Sequence, residues 1–213
     1  MTTVNPLRST HDDRRGLLSR HFIGVLEPLM EQGEPYPGMS VERIIRAGGI
    51  ARSTFYAYFA DKGELLSAMA EDVISDLFEA GRTWWALPHD ATRADLRVAL
   101  TPAIEVQRTH RAVLEAVADT AAHDPRVRER QLLLINEVVA NLARHIADAQ
   151  AAGSACPDLD PLHTAQWLIW MHERGLHQLV GRAGELETEK LLASLTDIVW
   201  RTLYEGYRDA GPA

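Results

Sequence analysis

Two short amphipathic segments joined by a glycine turn constrain this chain more than any other feature. Ser40 precedes VERIIRA (41–47), then Gly48-Gly49-Ile50 intervene, and ARSTFYAY begins at Ala51. Serine is a favoured N-cap and glycine a favoured helix stop. The spacing therefore predicts a helix over 41–47, a turn of three to four residues, and a second helix over about 51–58. That second helix carries Phe55, Tyr56, Tyr58 and Phe59 just after Arg52, Ser53 and Thr54. A buried helix has use for the aromatics but not for the polar run, and a solvated helix the reverse. Phe55 and Phe59 are four apart and share a face, which points them at Ile44 and Leu66. Tyr56 and Tyr58 lie off that face.

The remaining chain reads almost throughout with helical period. Leu18, Phe22, Val25 and Leu29 make a stripe over about 12–33, which GEPYPG (33–38) ends. Asp61 is placed to cap a long helix over about 61–86, striped by Leu66, Met69, Val73 and Leu77. Pro88-His89-Asp90 breaks the chain near a possible domain boundary, and helices follow at about 91–108, 110–121 and 125–152. After the loop GSACPDLDP (153–161), two more cover about 161–181 and 187–208. Strand signals, alternation between paired turn dipeptides, are weak. The expected fold is all-α: an N-terminal three-helix helix-turn-helix domain (1–60) and a C-terminal helical bundle (61–213), about nine helices in all.

Composition limits the function classes. The chain has 213 residues, 46% of them hydrophobic, enough for a real core. A single cysteine, Cys156, excludes an intramolecular disulfide framework and fits a reducing compartment. No apolar run reaches the roughly 20 residues of a membrane helix, and MTTVNPLRSTHDDRR lacks the apolar centre of a secretory signal. A soluble, cytoplasmic protein with no membrane partner is expected. Net charge is −8, yet residues 1–70 are balanced, with eight bases and eight acids. The excess acid sits in the body, so the N-terminal third can still present cations to a polyanion.

Two short helices around a glycine-containing turn are a helix-turn-helix, whose second helix enters the DNA major groove N-terminus first. Arg52, Ser53 and Thr54 fill that first turn. Arginine can read guanine O6 and N7, and a threonine methyl can meet a thymine methyl. Tyr56 and Tyr58 offer hydroxyls to phosphate. Lys62 adds a cation at the positive end of the next helix. Arg8, Arg14 and Arg15 precede the motif and are candidates for backbone or minor-groove contacts, diluted by Asp12 and Asp13.

SVERIIRAGGIARSTFYAYFADKGELLSAM (40–69) resembles the DNA-binding region of TetR-family transcriptional repressors. The resemblance implies a double-stranded DNA operator, a homodimer and a small-molecule effector. It carries the DNA contacts onto Ser40, Arg52, Ser53, Thr54, Tyr56, Tyr58 and Lys62. Between the tyrosines, a position often bulky in the family holds Ala57. THRAVLEA (109–116) and WLIWMHERGLHQLVG (167–181) are similar to stretches of the family's EthR-like branch, whose polar pocket positions fall on Ile169 and His172.

Ile169, His172 and Leu176 share one helical face, and Leu168, Met171, Gly175 and Leu179 the neighbouring one. Such a helix can line a cavity on one side and meet a partner on the other. Trp84, Trp85, Leu96, Trp167, Trp170 and Met171 complete the candidate wall for a small, mostly apolar effector, each also readable as plain core. The last helix carries Leu192, Leu195, Val199 and Leu203, with Leu191 and Ile198 beside them. The last two helices are the expected homodimer interface, the alternative being intramolecular core. An enzyme is not expected. His172 and His177 lie on different faces, Asp119 and His123 read as a surface pair, and Cys156 has no evident base. No cofactor or metal is implied. The competing class is a helical protein-interaction module that never touches DNA.

Overall fold

The computed structural model describes residues 6–88, 90–181 and 183–207. Among them it contains nine α-helices and no strand: α1 Pro6–Glu31, α2 Val41–Gly48, α3 Arg52–Tyr58, α4 Lys62–Trp85, α5 Arg93–Thr109, α6 Arg111–Ala121, α7 Pro125–Ala151, α8 Pro161–Gly175 and α9 Glu185–Leu203. A 3-10 turn covers Tyr36–Gly38, and a π turn, Leu176–Val180, extends α8. The all-α expectation holds nearly helix for helix. The largest difference is α1, which starts at Pro6 instead of near residue 12; proline suits a first helical position, where its missing N–H costs nothing. Of the described helices none is long and apolar enough to cross a membrane.

Short-range chemistry fixes the helix starts. Thr92 and Asp95 exchange bonds as a capping box at α5. Asp160 accepts the His163 N–H (2.8 Å), with Pro161 behind it, at α8. Asp61 accepts the Glu64 N–H (2.9 Å) at α4.

The helices form two compact units, and α4 and α7 contribute residues to both. The first unit comprises Met1–Ile74 and Ala112–Leu132. Its core holds Phe22, Leu26, Tyr36, Met39, Ile44, Phe55, Phe59, Leu66 and Met69, all essentially inaccessible. Phe22 meets Phe55 and Phe59 edge-on, at ring-centroid distances of 6.2 and 6.3 Å. Edge-to-face pairs of this kind add about 0.5–1.5 kcal/mol each beyond area burial. Arg126 bridges Asp61 and Asp124, each at 3.0 Å, and Arg130 pairs with Glu71 at 2.7 Å.

The second unit comprises Ser75–Arg111 and Leu133–Ala213. Here α5 lies against α9 and the π turn, and Arg93–Asp197 and Arg97–Glu189 pair along the edge. Its core contains Leu96, Leu100, Ile104, Leu142, Ile146, Leu176, Leu192, Val199 and Leu203. Within it the Trp84 indole N–H donates to the Tyr204 hydroxyl (2.9 Å), which also bonds His145 Nε2 (2.8 Å). An indole nitrogen only donates, so the hydroxyl accepts there. The π turn inserts one residue per turn and re-phases the helix end. Leu176 and Val180 thereby face the core while Leu179, at 57% exposure, faces out.

Gly48 is buried against Phe22, and a Cβ built on it would lie 2.4 Å from Phe22 Cε1. Gly48→Ala must displace the ring on which Phe55 and Phe59 rest. Overpacking of this kind costs about 1–3 kcal/mol. The expected outcome is a lower urea midpoint at unchanged m-value.

Candidate nucleic-acid interface

The turn between α2 and α3 uses two adjacent glycines for two reasons. Gly48 is glycine because Phe22 occupies the space of a side chain. Gly49 sits at φ 62°, ψ 28°, in the left-handed region, with open space around it. Its N–H donates to Arg46 O, and the Ile50 N–H reaches back to Ile45 O, so the last carbonyls of α2 are satisfied. At the other end of α2, Ser40 Oγ accepts the Arg43 N–H at 3.1 Å. Arg43 forms a bidentate pair with Glu34 (2.9 and 2.8 Å), tying the preceding loop to α2. His21 Nε2 bonds the Gly48 carbonyl (2.7 Å), fixing α2 to α1.

On this base α3 presents two kinds of side chain. Phe55 is buried, and so is Phe59 immediately after the helix. Arg52, Ser53 and Tyr56 are exposed, while Thr54 and Tyr58 are half-buried. The Arg52 guanidinium donates to Glu42 Oε1 (2.6 Å) and lies over the Tyr56 ring, 5.3 Å from its centroid. Glu42's own backbone N–H and the Arg52 guanidinium hold the Glu42 carboxyl below its usual range. Tyr58 stacks on His11 at 4.8 Å, and His11 Nε2 reaches the Ala57 carbonyl (3.3 Å).

Lys62 begins α4 and has work inside the unit. Its ammonium donates to the Pro37 and Met39 carbonyls (2.7 and 3.0 Å), and its carbonyl accepts the Tyr36 hydroxyl (2.6 Å). An ammonium carries three donors, which leaves one beyond these two. Arg15 lies over the Phe59 ring at 5.6 Å and pairs with Glu71 at 3.5 Å, so it is held inside the unit. Arg14 is exposed; the Arg8 side chain lies outside the described residues. Glu42, His11 and His21 carry no sequence signal of their own, because each partner is ten or more positions away.

The candidate effector residues divide. Trp84, Leu96 and Leu176 are buried in the core of the second unit, with Trp85 and Ile169 packed against it. The Trp85 indole N–H is buried and has no hydrogen-bond partner among the described residues. Trp167, Trp170 and Met171 lie on the opposite side of α8, at 77%, 36% and 37% exposure. His172 is half-buried, and desolvation pushes its imidazole down to about 4.

A recognition-type helix with exposed polar N-terminal residues, clamped from below by phenylalanines and joined to its neighbour by a tight glycine turn, defines a helix-turn-helix DNA-binding protein. Comparison with known proteins narrows the class. Residues 31–69 match the family described as bacterial regulatory proteins, tetR family, and residues 96–205 match the C-terminal domain of the transcriptional regulator EthR. The HTH-type transcriptional regulator EthR of Mycobacterium tuberculosis is 27% identical over 200 residues, covering 92% of this chain and 90% of that protein. EthR of Mycolicibacterium smegmatis is 26% identical over 202 residues, covering 92% and 89%. The structure of Salmonella enterica GusR superposes with a TM-score of 0.67 at 16% identity, covering 86% of this chain and 94% of that one. The chain belongs to the TetR family of transcriptional regulators, with a C-terminal half of the EthR type. It is a regulator and not an enzyme.

The burial of His172 has a consequence in acid. Its folded value of about 4 lies below the ordinary 6.5, so between these pH values the unfolded chain holds a proton that the folded chain lacks. Stability from this group is complete above about pH 6.5 and falls as pH drops toward 4. The wild-type melting temperature should drop more between pH 7.5 and 5 than that of His172→Gln.

Proposed function

We propose that this regulator is a ligand-responsive repressor. It binds a pseudo-palindromic double-stranded operator as a homodimer and is released by a small, mostly apolar effector. The observation that carries this is α3: Arg52, Ser53 and Tyr56 exposed above buried Phe55 and Phe59. Ser40, Arg52, Ser53, Thr54, Tyr56, Tyr58 and Lys62 form the DNA surface, with residues 1–60 as the DNA-binding domain and 61–213 as the effector and dimerisation domain. The protein acts in the cytoplasm, where the operator is.

In a dimer the two recognition helices enter successive major grooves, with half-sites one helical turn, about 34–36 Å, or a multiple apart. Exposed apolar residues support the last two helices as the partner face. Trp167, Met171 and Leu179 stand out from α8 and its π turn, and Ile198 from α9, at 77%, 37%, 57% and 45% exposure. On this arrangement Trp167, Trp170 and Met171 serve the dimer and not an internal wall. Trp85, Leu96, Ile169, His172 and Leu176 remain as effector contacts, with Trp84 behind them. The unpartnered Trp85 N–H suits an effector with a hydrogen-bond acceptor on an apolar body.

Release requires only that the effector prefer a conformer whose recognition helices are wrongly spaced; equal affinity for both conformers would shift nothing. Helix α4, which has residues in both compact units, is the covalent path for that shift.

Two experiments test the assignment. Tyr56→Phe should weaken binding to every DNA sequence with the fold intact, and Arg52→Ala should relax base preference at one operator position at a cost of about 1–3 kcal/mol. Wild-type affinity and selectivity in both variants would contradict it. Trp167→Asp should shift the protein from dimer to monomer in light scattering with an unchanged circular dichroism spectrum; a persistent dimer would move the interface elsewhere.

A further inference from the structure

On the DNA-binding assignment above, we propose that Glu42 is a specificity-determining positioning residue. Its carboxylate holds Arg52 away from DNA until a guanine edge takes the guanidinium over.

Glu42 belongs to the first turn of α2 and Arg52 to the first turn of α3, ten residues on and across the glycine turn. Their contact is short, 2.6 Å from Arg52 Nη1 to Glu42 Oε1, and Arg52 Nη2 approaches the Tyr56 hydroxyl at 3.5 Å. Both side chains stand in solvent, at 63% and 57% exposure. Arg52 therefore does not wave freely above the recognition helix. One side of its fork is on a carboxylate and its plane lies over a tyrosine ring.

Docking on DNA sets up an exchange. An exposed arginine–carboxylate pair is a weak interaction, and a single phosphate contact in water is of the same order. Giving up Glu42 for a phosphate gains little. It also leaves a bare carboxylate facing a polyanion. A guanine offers O6 and N7 together, and the bidentate contact to that edge is stronger than the exposed pair. The exchange is favourable at the correct base pair and close to neutral elsewhere. Glu42 thus lowers affinity for random DNA more than affinity for the operator, a repulsive element of the kind specific binders use. Tyr56 keeps the guanidinium plane near the helix surface during the exchange.

The test uses the full chain and a duplex selected by the wild-type protein from a random library, with a scrambled duplex as control. Binding is followed by fluorescence anisotropy across a salt series. Glu42→Gln should bind the scrambled duplex several-fold more tightly. On that duplex its plot of log affinity against log salt should steepen by about 0.9, the signature of one more phosphate neutralised. Operator affinity should change less, so the specific-to-nonspecific ratio falls. Thermal melting of the same preparations separates this from unfolding, and Glu42→Asp, which keeps the charge, should retain most of the selectivity.

In an Arg52→Ala background, Glu42→Gln should raise nonspecific affinity much less than it does with Arg52 present. An equal rise in both backgrounds would make Glu42 a simple repelling charge and overturn the proposal. An unchanged ratio and salt slope in Glu42→Gln would overturn it as well. A wild-type protein that selects no duplex at all would overturn the DNA-binding assignment, and this inference with it.

Discussion

The packing of Phe22 against the helix-turn-helix is the constraint on which the first unit depends. Its ring lies where a Gly48 side chain would be and meets Phe55 and Phe59 edge-on. Three consequences follow from that one placement. Helix α2 must end in a residue without a Cβ, the turn must be tight, and α3 must lay its phenylalanine face on α1. Once α3 is held so, Arg52, Ser53 and Tyr56 have no choice but to face solvent. A recognition surface is in this sense the unburied remainder of an aromatic core.

The polar residues around that core divide between scaffold and surface. His21 on the Gly48 carbonyl, Arg43 on Glu34, and Lys62 on the Pro37 and Met39 carbonyls all fix backbone near the motif. Each adds directional bonds where hydrophobic packing alone would let a seven-residue helix rotate. Charge-assisted bonds are the stronger ones, and Lys62 is placed to combine such bonds with a third donor still directed elsewhere. Arg52 and Glu42 are paired but solvated, which makes their contact easy to exchange. The contrast between fixed and exchangeable charges distinguishes the support of the site from its working face.

Much of this was legible in the sequence because it is local. Ser40 as a cap, Gly48-Gly49 as a stop, and Phe55 with Phe59 at four-residue spacing all express short-range rules. Helix boundaries in the second unit followed from Asp160-Pro161 and similar signals. What escaped depends on partners distant in sequence: Glu42 with Arg52, Lys62 with the 3-10 turn, Trp84 with Tyr204 and His145. Periodicity also cannot say which of two apolar faces of a helix points inward. On α8 it grouped Met171 with Leu168, yet Leu168 is buried and Met171 is exposed. The π turn was invisible for the same reason, since one inserted residue shifts a face without changing the composition of LHQLV (176–180).

The central claim is that the exposed edge of α3 recognises a particular DNA sequence. The most direct test is fluorescence-anisotropy binding of the purified protein to the DNA upstream of its own gene, beside a shuffled fragment. Salt must be fixed near the physiological level, because phosphate contacts alone can produce binding that rises as salt falls. The account predicts tight binding to the native fragment and at least a thousandfold weaker binding to the shuffled one, on the order of the discrimination shown by specific DNA-binding proteins. Equal, weak binding to both, together with failure to select any sequence from a random pool, would contradict it.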